Sequence, residues 1–239
     1  MKNFSIILGA IILVLFVTLV IWGVYCDNTI AITNYCVNNT KNDAKLKFVV
    51  ITDLHNKEYG EKNADLAELV KEQNPDFIAV CGDMVNRGDP DTTKMKDVLE
   101  KLSKIAPTYC CLGNHERDNA AEFGTDFKSE TNSTGAVLLD NEYIKFTKNG
   151  KSVLIGGMSD YPYYEFYTPD DDVPSRTLWE EFAEKAKNNF TILLHHQPEY
   201  IAEDAKKTDI DLIVCGHTHG GQIQLPVSYT HLRAHETAA

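Results

Sequence analysis

Lys47-Phe-Val-Val-Ile-Thr-Asp53, Phe77-Ile-Ala-Val-Cys-Gly-Asp83 and Tyr109-Cys-Cys-Leu-Gly-Asn-His115 decide the fold. Each is a short apolar run that stops at a carboxylate or an imidazole, as strands buried on both faces do. Helical patterns lie between them. Leu66, Leu69 and Val70 share one face of 61–73, and Met95, Val98, Leu99 and Leu102 share one face of 92–104. That order predicts parallel strands with right-handed crossovers. Two later runs, Thr191-Ile-Leu-Leu-His-His196 and Leu212-Ile-Val-Cys-Gly-His217, end the same way. Residues 136–156 differ: Ala136–Leu139, Tyr143–Phe146 and Ser152–Ile155 are separated by the turn pairs Asp140-Asn141 and Asn149-Gly150, which predicts a meander or hairpin set. A helix is expected over 176–188, with Leu178, Phe182 and Ala186 along one face, and another over 199–207. The class is α/β, either a layered α/β/β/α sandwich or an open sheet, with no internal repeat.

The chain has 239 residues, room for one domain or two. Hydrophobic residues at 43% and charged residues at 24% exclude disorder as the main state. A net charge of −12 repels a phosphate backbone and argues against nucleic-acid binding. It does not forbid a small phosphate substrate, because bound metal ions reverse the local field.

The two ends read differently from the middle. Ser5 to Val24 carries no charge and is long enough for a helix to span a bilayer core. Lys2 precedes it, so the N-terminus is expected in the cytoplasm and the remainder outside. Trp22-Gly23-Val24-Tyr25 offers no small-residue cleavage site, which favours an uncleaved anchor over a signal peptide, and Tyr25 is a poor residue before a lipidated Cys26. Val227–Thr237, VSYTHLRAHET, matches residue for residue the translation of a transposon sequencing adaptor. The expected organisation is an anchor at 1–25, a polar tether at 26–45, a catalytic domain at 46–226 continuing further in the natural protein, and an adaptor-derived tail at 227–239. His231 and His235 therefore carry no functional weight.

In open α/β sheets ligands bind beyond the carboxyl ends of strands. Five strand ends deliver Asp53, His55, Asp83, Asn114, His115, His196, His217 and His219 to such a place. Imidazole with carboxylate favours Mn, Fe or Zn. Eight candidates exceed the needs of one ion, whereas two ions bridged by a carboxylate would use most of them. Residues i and i+2 of an extended chain face the same side, so Asp53 with His55, and His217 with His219, are expected to reach one ion each. Gly82, Gly113 and Gly216 lie next to these residues, where a side chain would obstruct a sharp turn. Only one of His195 and His196 is expected to point inward.

Asp-x-His, Gly-Asp, Gly-Asn-His-Glu, a late His and Gly-His-Thr-His, in this order from Asp53 to Gln222, resemble the calcineurin-like metallophosphoesterase superfamily. Gly216-His-Thr-His-Gly-Gly-Gln222 further resembles its bacterial membrane-associated branch. The resemblance implies an α/β/β/α sandwich and two divalent metal ions. Asp53, His55, Asp83 and His219 would bind the first ion. Asp83, Asn114, His196 and His217 would bind the second, with Asp83 bridging. His196-Gln197-Pro198 fits the family's His-x-Pro pattern, which selects His196 over His195. A metal-bridging hydroxide would attack the phosphorus in line, His115 would neutralise charge or protonate the leaving group, and Glu116 would orient His115 by a hydrogen bond. The implied function is hydrolysis of a phosphomonoester or phosphodiester, on a membrane or cell-envelope substrate. The rivals are a nucleotide-lipid pyrophosphatase and, in a different class, a non-catalytic metal-binding scaffold.

The remaining features read as structural. Cys81, Cys110, Cys111 and Cys215 are expected as buried thiols, while Cys26 and Cys36 would pair only in an oxidising compartment. Tyr161-Pro-Tyr-Tyr-Glu-Phe-Tyr167 with Asp170-Asp-Asp172 is expected as a self-packed surface loop.

Overall fold

A computed structural model describes residues 2–38, 41, 44–158 and 174–219. The aromatic and acidic loop and the tail at 227–239 lie outside the described residues. The elements are α1 (Lys2–Asp27), β1 (Phe48–Ile51), α2 (Ala64–Glu72), β2 (Phe77–Cys81), α3 (Thr93–Ile105), β3 (Thr108–Cys111), α4 (Asn114–Phe123), α5 (Phe127–Asn132), β4 (Val137–Leu138), β5 (Glu142–Lys148), β6 (Lys151–Met158), α6 (Pro174–Ala186), β7 (Thr191–His195), α7 (Ala202–Ala205) and β8 (Leu212–Val214).

The chain divides into two compact units, 1–36 and 37–239. The first holds α1, whose Ile6–Cys26 segment is long and apolar enough to cross a membrane by length and composition. The side chains of that segment are exposed throughout. Trp22 and Tyr25 lie near its C-terminal end with ring centroids 5.9 Å apart. Cys26 and Cys36 are free thiols.

The second unit has two four-stranded sheets, ordered β1-β2-β3-β4 and β5-β6-β7-β8. Every pairing in the first sheet is parallel. In the second, β5 and β6 form an antiparallel hairpin while β6, β7 and β8 run parallel. Alternation along each strand separates two apolar faces. Phe77, Ala79 and Cys81 pack with Val153, Ile155, Ile192 and Leu194 in the layer between the sheets. Leu193 and Leu154 turn outward to meet Leu178, Trp179 and Phe182 of α6. Met95, Val98, Leu99 and Leu102 of α3 are all buried, as their spacing predicts. Helices outside two packed sheets make the α/β/β/α sandwich.

Two expectations need correction, and two helices were not foreseen. Ala136–Leu139 does not join a meander. β4 pairs parallel with β3 in the first sheet, Leu139 N–H donates to the Cys110 carbonyl at 2.8 Å, and Asp140-Asn141 is the crossover to the second sheet. Leu138 and Leu139 are both buried, and burial on that sheet outweighed the local turn signal. The helix expected over 199–207 is a 3-10 turn at Pro198–Tyr200 followed by the four-residue α7, interrupted at Ile201 with φ −119°. α4 and α5 lacked an apolar stripe to reveal them. The buried residues of α4 are Glu116 and Asn119, both polar.

Candidate metal centre

The loops following β1, β2, β3, β7 and β8 converge at one end of the sandwich. Their backbones are not extended there. Asp53 (φ 55°), His55 (48°), Asp83 (52°), His217 (70°) and His219 (48°) all occupy the left-handed region. This corrects the expectation of alternation along a strand: left-handed turns bring Asp53 and His55 together, whereas His217 and His219 fall in different groups of potential ligand atoms. Such conformations cost roughly 1–3 kcal/mol each and cluster at functional sites.

His55 Nε2 and His219 Nε2 stand 3.1 Å apart with their rings stacked. Asp53 Oδ1 lies 3.8 Å from the first and 3.7 Å from the second. Asp83 Oδ2 faces His55 Nε2 at 3.8 Å, His115 Nε2 at 3.8 Å and His196 Nε2 at 3.1 Å. Three groups of potential ligand atoms each lie within 4.8 Å of one another: Asp53, His55 and His219; His55, Asp83 and His115; and Asp83, His196 and His217. Asp83 and His55 belong to two groups each, so the groups form one continuous cluster.

The chemistry of this donor set fits divalent cations. Asn114 Oδ1 is buried with no hydrogen-bond partner, and the buried His196 Nε2 has only the Asp83 carboxylate facing it. A buried polar atom left so costs roughly 1–3 kcal/mol unless something else satisfies it. In the first group, two imidazole nitrogens and a carboxylate oxygen crowd one point, an arrangement suited to coordination.

The scaffold holds each donor in place. His217 N–H donates to both Asp53 oxygens, at 3.1 and 3.0 Å. His115 N–H donates to Asp83 Oδ1 at 2.9 Å, which leaves Oδ2 as the oxygen facing the imidazoles. His196 Nδ1 lies 2.7 Å from the Cys81 carbonyl, so its Nε2 is the nitrogen aimed at the cluster. A Cβ on Gly113 would stand 2.2 Å from Asp83 Oδ1, and one on Gly216 would stand 1.9 Å from Thr52 Oγ1. The two glycines are therefore needed for close approach of the loops.

Burial works against the charge of His196, but the Asp83 and Asp53 carboxylates outweigh it and push its pKa up to about 9. Burial would raise Asp83, yet His196 and the His115 amide hold it below the usual carboxylate range. Burial lowers His55, with Asp83 opposing it. His195 turns away. It is buried, its Nδ1 lies 2.9 Å from the Met158 carbonyl, and burial pushes its pKa down to about 4.

Glu116 does not orient His115. Its oxygens accept backbone N–H groups of Asp83, Met84, Val85 and Gly113. His115 Nδ1 instead lies 3.0 Å from Arg87 N, and its Nε2 faces the cluster, 3.8 Å from Asp83 Oδ2. The Val85 carbonyl lies 3.2 Å from the same Nδ1. Sequence reasoning missed Thr52, whose Oγ1 is 2.9 Å from Asp53 Oδ2, and Glu199, whose Oε1 is 3.3 Å from His217 Nε2. It also missed Asn119, for which the one available signal is its position three residues after Glu116.

A two-sheet α/β sandwich with carboxylates and imidazoles gathered at its strand ends defines a metallophosphoesterase-type domain. Residues 46–221 match the calcineurin-like phosphoesterase family, and the chain belongs to it. It is 28% identical over 188 residues to the uncharacterized metallophosphoesterase YkoQ of Bacillus subtilis, with 77% of this chain and 65% of that protein covered. It is 29% identical over 189 residues to the phosphodiesterase YaeI of Escherichia coli, with 78% and 65% covered. The chain thus spans a little less than two thirds of these relatives' length. Its fold is similar to TT1561 of Thermus thermophilus, with a TM-score of 0.52, 12% identity, and 72% of this chain and 81% of that one covered.

Proposed function

We propose that the chain is a membrane-anchored phosphohydrolase that uses two divalent metal ions to cleave a phosphomonoester or phosphodiester. The observation that carries this reading is the continuous run of donor groups: Asp53, His55 and His219 on one side and Asp83, His196 and His217 on the other, joined through the group of His55, Asp83 and His115. Asp53, His55, Asp83 and His219 would hold one ion, and Asp83, Asn114, His196 and His217 the other. Mn, Fe and Zn suit this mixture of imidazole and carboxylate. When bound, such ions lower the pKa of water to about 7 and offset charge on phosphoryl oxygens.

The chain's own residues orient and protonate. His115 Nε2 stands at the edge of the cluster, where a proton on it would hydrogen-bond a phosphoryl oxygen or pass to the leaving oxygen. The backbone amides of His115 and His217 fix the Asp83 and Asp53 carboxylates, so neither needs to reorganise as charge develops. A phosphodiester is the first substrate to test, because the E. coli relative is named for that activity. α1 would anchor the chain, with Lys2 on the cytoplasmic side and residues 46 onward on the other. That location favours a lipid-linked or cell-envelope phosphate as substrate.

The test is release of p-nitrophenol from bis(p-nitrophenyl) phosphate and p-nitrophenyl phosphate by the full-length protein with Mn²⁺ added. The expected result is metal-dependent turnover of at least one, abolished by a chelator and restored by metal. Folded, metal-loaded protein that turns over neither ester, nor a nucleotide-lipid pyrophosphate, would leave a scaffold role in its place.

A further inference from the structure

α4 brings polar residues to the interior. Glu116 is 2% exposed and Asn119 is 0% exposed. Glu116 Oε2 accepts from Asp83 N–H and Gly113 N–H, each at 2.8 Å. Its Oε1 accepts from Met84 N–H at 2.7 Å and Val85 N–H at 3.1 Å. One carboxylate thereby holds the loop after β2, which carries Asp83, against Gly113, which leads from β3 into Asn114 and His115 at the start of α4. The tie is reciprocal, since Asp83 Oδ1 accepts His115 N–H at 2.9 Å. Asn119, one turn further along, fastens the far end of the same loop. It accepts Gly88 N–H and donates to the Asn86 and Asp89 carbonyls, all at 2.8 Å.

We propose that Glu116 is a positioning residue that sets the spacing between the two halves of the metal centre. The proposal rests on the dinuclear reading above. Three amides in a row, Asp83 to Val85, have turned out of the sheet and have no strand partner. A carboxylate gives them charge-assisted hydrogen bonds, roughly twice as strong as neutral ones. Those bonds hold Asp83 in its left-handed conformation, at φ 52°. With Oδ1 committed to His115 N–H, Asp83 presents Oδ2 to both donor groups, and Glu116 fixes where that atom lies. Each oxygen of Glu116 accepts two donors, so an amide in its place would set an NH2 group against two N–H groups whichever way it turned.

The test uses the full chain in detergent, stripped of metal and titrated with Mn²⁺. Three readouts apply: equilibrium dialysis, electron paramagnetic resonance for the exchange-coupled pair of ions, and hydrogen exchange at Asp83, Met84, Val85 and Gly113. Glu116→Gln is expected to keep the circular dichroism of the parent and lose protection at those four amides. It should weaken Mn²⁺ binding roughly ten- to a hundredfold, the scale for groups supporting metal ligands, and lose the coupled signal. Leu102→Val, a buried change in α3, should lower stability without altering that signal. Two tightly bound, coupled ions in Glu116→Gln would overturn this assignment alone. A parent chain that binds fewer than two ions would overturn the dinuclear reading and this assignment together. If Glu116→Gln does not fold, Glu116→Asp decides. Its carboxylate is one methylene short of holding both loops, so an unchanged coupled spectrum overturns the proposal and a weakened one supports it.

Discussion

At the scale of single residues, Asp83 carries more of the site than any other. Its Oδ2 faces imidazoles from three different segments, while its Oδ1 is tied to the backbone. Asp83→Asn should therefore lower kcat by roughly a hundredfold or more, the scale of removing one electrostatic group at a reacting centre. It should also reduce metal content by elemental analysis, and full activity with two ions retained would contradict the bridging role. The acid–base state of His196 gives a second prediction. In the metal-free chain its pKa is about 9 against an ordinary 6.5, so the folded state binds that proton more tightly than the unfolded state. The resulting stability is fully present below pH 6.5 and is lost as pH rises through about 9. A ligand nitrogen must release the proton, so cation uptake should strengthen over the same window. Calorimetric Mn²⁺ titrations in buffers of different ionisation enthalpy should show proton release at pH 6.5 that disappears above about pH 9; pH-independent uptake without release would contradict it. The gathering of these carboxylates and imidazoles was legible in the sequence because each follows an apolar run. How they are held was not, because left-handed turns at Asp53 and His55 and the amide cradle of Glu116 depend on which loops meet in space.

At the scale of elements, periodicity identified the strands and α2, α3 and α6, since each buries a regular apolar face. α4 escaped because its buried face is polar and is satisfied by loops distant in sequence. β4 was assigned to the wrong neighbours, because a two-residue strand cannot announce its partner. Packing on α6 yields a direct test. Phe182 is fully buried between α6 and the second sheet, so Phe182→Ala should cost about 3–5 kcal/mol in urea unfolding. A loss below about 1 kcal/mol would mean that α6 does not pack as described. The loop glycines yield another. Gly113→Ala would set a Cβ 2.2 Å from Asp83 Oδ1 and 2.5 Å from its backbone nitrogen. It should reduce Mn²⁺ binding and turnover together, and parent-like binding by dialysis would contradict the close approach of the two loops.

At the scale of the whole molecule, α1 and the sandwich are separate units with separate work. The sandwich places hard-to-assemble polar groups at strand ends, where the sheet stops supplying hydrogen bonds and loops must supply them. α1 contributes a 21-residue apolar stretch with side chains exposed along its length. Exposed apolar area of that extent is expected to sit in lipid. The full chain should stay with membranes washed in alkaline carbonate, and removal of residues 2–27 should release it; a full chain found in the soluble fraction would contradict anchoring. Anomalous diffraction from crystals soaked in Mn²⁺ decides whether two ions share Asp83. Two peaks about 3.5–4 Å apart are predicted, one on the His55 and His219 side of Asp83 Oδ2 and one on the His196 and His217 side. A single peak, or peaks that do not share Asp83, would rule out a dinuclear centre bridged by that carboxylate.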